Sequence, residues 1–136
     1  GWPAQSFVQV ADFAAFSLEH AGRSSLPILA WGCFFGKAVK LAQGHASTHA
    51  RDAVLDMTRL AGLAAACGVA HAAAVSSCNT AAQALELLLA AGSPGRRVLA
   101  AVAREAAFTA ARFAGRPVRV HIFVDGGDGG SELASA

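Results

Sequence analysis

The chain contains 136 residues with a mass of 13.7 kDa, which is the size of one domain with its own hydrophobic core. Hydrophobic residues make up 54% of the sequence and charged residues only 15%, and this composition excludes an intrinsically disordered chain. The formal net charge is +2 at pH 7, and the basic residues are too scattered to form a nucleic-acid-binding surface. No apolar run reaches the ~20 residues that cross a bilayer, and the first residues do not resemble a signal peptide. We therefore expect a soluble, cytoplasmic chain with no nucleic-acid or membrane partner.

Helix and strand signals alternate along the chain, and glycines end most of the predicted helices. Residues 6–10 fit a short strand or a lead-in, and the alanine-rich stretch 69–77 fits a short helix or a connector. The sequence Thr80-Ala81-Ala82-Gln83 has the form of a capping box, which starts a helix. The patterns predict helices over 12–21, 37–43, 51–67, 80–91 and 96–114, and strands over 26–31 and 117–124.

These elements predict a helix-rich α/β fold, with a Rossmann-like partial layer made of a small, incomplete sheet and about five helices. Two strands alone form only a marginally stable sheet, so we expect something else to complete it. Residues 1–124 are predicted to form a single α/β domain. Residues 125–136 are rich in Gly and Ser and are predicted to form a flexible tail.

The strongest local feature is the stretch from Gly32 to Lys40, where a glycine turn is predicted between a strand and a helix. Such a turn presents free backbone amides and the positive end of a helix dipole, and the chain's only lysines, Lys37 and Lys40, follow it. An anion would bind there. A P-loop is excluded, because only three residues separate Gly32 from Gly36 and Ala38 stands where a magnesium-binding Ser or Thr is needed. The alternative is an ordinary tight turn with two solvated lysines.

Two histidines, His45 and His49, are spaced four residues apart, as zinc ligands on a helix are. Ala46 replaces the glutamate of the H-E-x-x-H motif, and no cysteine or acidic residue completes the set. We therefore expect no protein-bound metal, and we expect His49 to bond to a carboxylate or a carbonyl. The cysteines are predicted to be reduced thiols in the core: Cys33, Cys67 and Cys78.

The run G-K-A-V-K-L-A-Q-G from Gly36 to Gly44, followed by Thr48-His49, resembles a signature of the cobalt-precorrin-5B C1-methyltransferase family of anaerobic cobalamin biosynthesis. Upstream, Val8 to Phe13 is similar to the family segment that ends in Asn or Asp followed by Phe. Downstream, Asn79 to Glu86 resembles the start of a family helix, and order and spacing agree as well. The resemblance covers nearly the whole chain but only the C-terminal part of the family, whose members are more than twice as long.

The resemblance implies methyl transfer from S-adenosyl-L-methionine to C1 of a cobalt-corrinoid, a small molecule that bears many carboxylates. No catalytic residue is identified. Two functions stay open: the C-terminal domain or a shortened relative of the methyltransferase, or a non-catalytic corrinoid- or partner-binding module. An N-terminal partner domain or a homodimer would complete the fold. A third possibility, a helical packing domain without a ligand, requires Trp31 and Phe34 to cover the glycine turn. The expected substrate- or cofactor-binding residues are Asp12, Gly36, Lys37, Lys40, Gly44, Thr48 and His49.

Overall fold

The structure, a computed structural model, describes residues 3–49, 51, 53–124 and 131–136. Within these ranges the chain is helix-rich and has a small mixed sheet, as the sequence predicts for a partial α/β fold. A short 3₁₀ turn over Ala4–Ser6 precedes the first helix. The helices are α1 (Ala14–Gly22), α2 (Phe35–Ala42), α3 (Met57–Ala66), α4 (Ala72–Ser76), α5 (Ala81–Ala90) and α6 (Ser93–Ala114), and the strands are β1 (Ala30–Phe34), β2 (Arg119–Val124) and β3 (Ser131–Ser135).

The sheet has the order β1-β2-β3, with β2 in the centre. Strand β1 runs parallel to β2, in a register that pairs Ala30 with Arg119 and Phe34 with Phe123. Parallel strands need a long crossover, and the helices from α2 to α6 supply it. The carboxyl ends of β1 and β2 therefore lie at the same edge of the sheet.

Strand β3 corrects the expectation of a flexible tail for the last residues of the chain. It pairs antiparallel with β2, from Val124 with Ser131 to His121 with Ser135. Leu133 packs against the core on this strand. Composition alone misses this strand because four of its five residues are small or polar, and only the pairing with the preceding strand β2 makes it a strand. Residues 125–130, the rest of the predicted tail, lie outside the described residues.

Helix α6 is the centre of the helical layer and contacts α1, α2, α3 and α5 as well as β2 and β3. Helix α6 packs closely on α5 at Gly95. A Cβ at this position would overlap the backbone carbonyl of Leu88, so the close contact requires glycine. Gly22 approaches the carbonyl of Ala114 in the same way. The largest fully buried side chains are Leu41, Leu88, Leu99, Ile122, Val39, Val75, Val98, Val102 and Val120.

The boundary between β1 and α2 differs from the prediction and changes the geometry at the glycines. Pairing with β2 places β1 at Ala30–Phe34, whereas the sequence predicts a strand over 26–31, and α2 begins at the next residue. Gly32 lies inside the strand, beside the Phe123 ring, and Gly36 lies in the first turn of the helix. The strand therefore enters the helix directly, and the predicted glycine turn between them is wrong.

Helix α3 begins six residues later than its apolar pattern indicates, because Asp56 caps it. The Asp56 side chain accepts a hydrogen bond from the Arg59 amide, at 2.8 Å. The Gln43 side chain bonds to the backbone of Asp56 in both directions, each at 2.9 Å, and so fixes the start of the helix next to the end of α2.

The N-cap role of Thr80 before α5 is confirmed, and the Gln83 side chain bonds one residue further out than in a standard capping box. The Gln83 amide donates to the Thr80 hydroxyl at 3.2 Å, and the Gln83 side chain accepts from the Asn79 amide at 2.9 Å. The ambiguous stretch 69–77 contains the short helix α4. None of the helices in the described ranges is long and apolar enough to cross a membrane.

Candidate functional site

The candidate site lies where β1 enters α2, at the carboxyl edge of the parallel strand pair. Ligands of open α/β sheets bind outside this edge. Phe34 occupies the N-cap position of α2 and supplies no side-chain hydrogen bond to the first amides of the helix. Gly36 allows the start of α5 to come close, because a Cβ on Gly36 would lie 3.0 Å from the Cβ of Ala81. The N-termini of α2 and α5 thus meet at one place, where their dipoles both favour an anion.

Lys37, in the first turn of α2, forms an ion pair with Asp12. Its Nζ lies 3.1 Å from Asp12 Oδ1, and the same oxygen accepts a hydrogen bond from the Thr48 hydroxyl, also at 3.1 Å. The side chains of Lys37 and Asp12 are 41% and 28% exposed. Asp12 therefore fixes the position of an ammonium group that solvent can still reach and that has further protons to donate.

The Lys37 charge affects two titratable neighbours. It lowers the pKa of Asp12, chiefly through the hydrogen bond between them, while partial desolvation acts in the opposite direction and Thr48 reinforces the lowering. Burial raises the pKa of the Cys33 thiol to about 11, although the Lys37 charge and a hydrogen bond with Trp31 oppose this effect. At neutral pH Asp12 is therefore ionised and Cys33 is a protonated thiol. All three cysteines are free.

Lys40 has a different environment from Lys37, although both lysines lie on α2. Its side chain is buried, and its Nζ donates to the backbone carbonyl of Thr48 at 2.9 Å. It lies in the last turn of the helix, whereas Lys37 lies in the first. The Thr48 amide in turn donates to the Asp12 carbonyl at 2.9 Å. Lys40 thus ties α2 to the loop that holds the segment before α1, and the alternative interpretation, in which both lysines are solvated, is wrong for Lys40.

Gly44 and His49 flank this network. Gly44 has a φ of +90° and ends α2, a conformation that glycine adopts without strain. His49 is exposed, and its Nδ1 accepts a hydrogen bond from the Arg51 amide at 3.3 Å. Its ring is close enough to Asp12 to interact electrostatically with the carboxylate. The structure therefore places His49 near the carboxylate, while its ring nitrogen bonds to the backbone.

The two histidines spaced four residues apart do not share a helical face, because residues 45–49 are not helical. No group of three or more His, Cys, Asp or Glu side chains among the described residues could hold a metal ion.

Of the residues expected from the sequence, the structure joins four in one network and places the others around it. The network comprises Asp12, Lys37, Lys40 and Thr48, with Gly36 at the contact between α2 and α5 and with Gly44 and His49 at its margin. Sequence reasoning missed the contribution of α5. The capping box at Thr80 marks the start of that helix, but only the close approach at Gly36 shows where the start lies.

The Asp12–Lys37 pair predicts a specific response to acid. Because the folded pKa of Asp12 lies below its ordinary value of 3.8, the pair stabilises the fold above about pH 4, and this contribution is lost as the pH falls through the folded pKa. Thermal unfolding between pH 6 and pH 3 should show that Asp12→Asn is less stable than the parent at pH 6, and that the difference shrinks on acidification. Glu19→Gln removes the exposed pair with Arg23 on α1 and serves as the control. A difference that stays constant over this range contradicts the assignment.

Comparison with known proteins identifies the family. Residues 47–131 match the family model described as CbiD, C-terminal domain. A protein from Nitratidesulfovibrio vulgaris named cobalt-precorrin-5B C(1)-methyltransferase is 48% identical over an alignment of 138 positions. This alignment covers 98% of this chain and 34% of that protein. Proteins of the same name from Pseudomonas putida and Burkholderia ambifaria are 40% and 38% identical, over 68% and 69% of this chain and 26% of each relative. No solved structure matches the chain.

The chain therefore spans about a third or less of the length of these relatives. The matched C-terminal domain includes Thr48 and His49, whereas Asp12 and Lys37 precede it. The candidate site thus joins residues from both sides of the point where the family match begins. Because the family model covers more than half of the sequence, the chain belongs to the CbiD family.

Proposed function

We propose that this chain is the C-terminal domain, or a shortened relative, of an enzyme that transfers a methyl group from S-adenosyl-L-methionine to C1 of cobalt-precorrin-5B in cobalamin biosynthesis. The observation that carries the proposal is the 48% identity to a protein of that name over 98% of this chain. The network around Lys37 supports it, since both ligands of such a reaction carry carboxylates.

Lys37 is the residue that we assign to a ligand carboxylate. Its ammonium is held by one bond to Asp12, and its remaining protons are available to a second anion. In the first turn of α2, its side chain leans towards the N-terminus of the helix, because Cα–Cβ bonds in helices tilt that way. The N-terminal amides of α2 and the Lys37 ammonium therefore lie on the same side of the helix start, and an anion bound there would interact favourably with both.

The residues of this site suit positioning better than proton transfer. Asp12 is held ionised and the Cys33 thiol is held protonated, so neither is poised to exchange a proton near neutral pH. S-adenosyl-L-methionine supplies the methyl group on a positively charged sulfur when it is bound. This chain would contribute by fixing a carboxylate of one reactant, because methyl transfer depends on the alignment of donor and acceptor.

The same observations support a second candidate, a non-catalytic module that binds a corrinoid or a partner protein. A site that positions an anion, with Asp12 and Cys33 unsuited to proton transfer, would be sufficient for binding. The two candidates differ in methyl transfer, which the first requires and the second lacks.

The test is calorimetric titration of the chain with S-adenosylhomocysteine and, separately, with a carboxylated cobalt corrinoid. Lys37→Ala should weaken binding of one of them about tenfold or more, which corresponds to the loss of one charge-assisted contact. His49→Ala should have a smaller effect. Arg23→Ala is the control, because it removes an exposed charge on α1. Unchanged affinity after Lys37→Ala would remove Lys37 from the site, and the absence of binding by the folded chain would contradict a complete site within these residues.

A further inference from the structure

The exposed apolar side chains are concentrated in one part of the sequence. Twelve large apolar residues are exposed in the described part of the chain, and eight of them lie between residues 7 and 34. Soluble proteins tolerate single exposed apolar residues, but a concentration of large ones marks an interaction site. Five of the eight fall within ten residues and are termed the N-terminal apolar segment: Phe7, Val8, Val10, Phe13 and Phe16.

The second half of this segment, around Phe13 and Phe16, is held in place by hydrogen bonds to the rest of the fold. The Thr48 amide donates to the Asp12 carbonyl, and the Ala15 amide donates to the Ala46 carbonyl, both at 2.9 Å. On α1, Ala14 and Leu18 are buried, while Phe16 on the same helix and Phe13 at its N-cap are 70% and 67% exposed. The aromatic rings therefore stand on an anchored backbone, on residues that the core of this chain does not cover.

The neighbouring sheet edge is open as well. Strand β1 pairs with β2 on one side and with no other described strand on its second side. Phe34, at the end of this strand, is half exposed. An edge strand with free backbone groups and an exposed aromatic residue is a second surface that can accept a partner.

The comparisons indicate which partner fits these surfaces. The match to the C-terminal domain begins at residue 47, so the N-terminal apolar segment and β1 both precede it. The Nitratidesulfovibrio vulgaris relative aligns with 98% of this chain, yet this alignment covers only 34% of that relative. The longer proteins therefore contain a large region that lies outside this chain.

We propose that the N-terminal apolar segment is a docking surface for the region of the longer CbiD family members that lies outside this chain. This inference goes beyond the proposed function, because it needs no ligand. It also has a consequence for the candidate site. Asp12 lies between Val10 and Phe13, so a region docked on the apolar segment borders the Asp12–Lys37 pair.

The test uses a chimera in which the non-aligned region of the Nitratidesulfovibrio vulgaris relative precedes residues 1–136. Hydroxyl-radical footprinting compares the reactivity of phenylalanine rings in the chimera and in the 136-residue chain. Phe13 and Phe16 should react about threefold or more slowly in the chimera, because an interface excludes water from the rings it buries. Phe108 on α6 is the internal control, since it is 68% exposed and lies outside the segment, and its reactivity should not change.

A matched pair of variants gives an independent measurement. Phe16→Gln should lower the melting temperature of the chimera by several degrees more than that of the 136-residue chain. Phe108→Gln should change the melting temperature of both proteins equally.

Equal reactivity of Phe16 in the two proteins, or equal effects of the two variants on the melting temperature, overturns the proposal. So does a chimera that fails to fold as one unit, because docking requires that the surfaces fit. Protection of Phe16 in the 136-residue chain that disappears on dilution overturns it in favour of a second copy.

Discussion

Gly95→Ala should destabilise the chain by about 3 kcal/mol, near the upper end of what overpacking usually costs. A Cβ at this position would overlap the carbonyl oxygen of Leu88 and approach the carbonyl carbon and Cα of the same residue. These are backbone atoms of α5, so relief requires that the helices move apart. That movement would weaken contacts of Leu88 and Val98, which are both fully buried. Urea unfolding at 25 °C measures the change in the free energy of unfolding.

Gly62→Ala is the matched control for this prediction. Gly62 lies inside α3, and no atom lies within 4 Å of a Cβ built there. Because alanine favours the helical conformation more than glycine does, this substitution should stabilise the chain by about 0.4–1 kcal/mol. The same substitution of glycine by alanine is thus expected to lower the stability at position 95 and to raise it at position 62. If Gly95→Ala is as stable as Gly62→Ala, the close approach of α5 and α6 is incorrect.

Gly95 also illustrates why some boundaries cannot be predicted from local sequence. The residues Ser93-Pro94-Gly95 suit a turn, and the sequence predicts one there, with a helix that starts at Arg96. They suit the first turn of a helix equally well, because proline needs no amide partner at that position. The structure starts α6 at Ser93 because Gly95 must pack on Leu88, and this contact is tertiary.

Elements with strong local signals were predictable. The Thr80–Gln83 capping box starts α5 as expected, and the strand predicted over 117–124 is β2, Arg119–Val124. Strand β3 was missed, since its pairing partner lies in β2 and its own composition indicates a mobile segment. The position of β1 at Ala30–Phe34, which differs from the predicted 26–31, was missed because its pairing partner, which includes Phe123, is distant in the sequence.

The candidate site was predictable as a set of residues but not as an arrangement. Residues from the run Gly36 to Gly44 and from the Thr48-His49 pair lie together in the structure with Asp12. Their individual roles depend on contacts outside the run. Residues three apart on a helix are neighbours on its surface, so the spacing of Lys37 and Lys40 indicates that both serve one anion. Burial of Lys40 against the Thr48 carbonyl separates their roles.

Lys40→Met should therefore lower the free energy of unfolding by about 1–3 kcal/mol, the cost of a buried polar group left without its partner. Methionine fills a similar volume but cannot donate a hydrogen bond, so the Thr48 carbonyl loses the Lys40 ammonium. The loop after α2 also loses its link to the helix, and the segment before α1 is held to that loop through the Thr48 amide. The effect should thus extend to Asp12. Urea unfolding and the exchange rate of the Thr48 amide with deuterated solvent measure the two consequences.

Lys37→Met is the control, because it makes the same chemical change three residues earlier on the same helix. Its ion pair with Asp12 is partly exposed, and such pairs contribute about 0–1 kcal/mol, so the stability of this variant should stay close to that of the parent. Its ligand affinity should fall instead. If the two variants lose stability equally, Lys40 is no more structural than Lys37, and both lysines become candidates for one anion. If only Lys40→Met is destabilised, Lys37 is the one lysine of this chain that is free to hold a ligand, because the other is required by the fold that positions it.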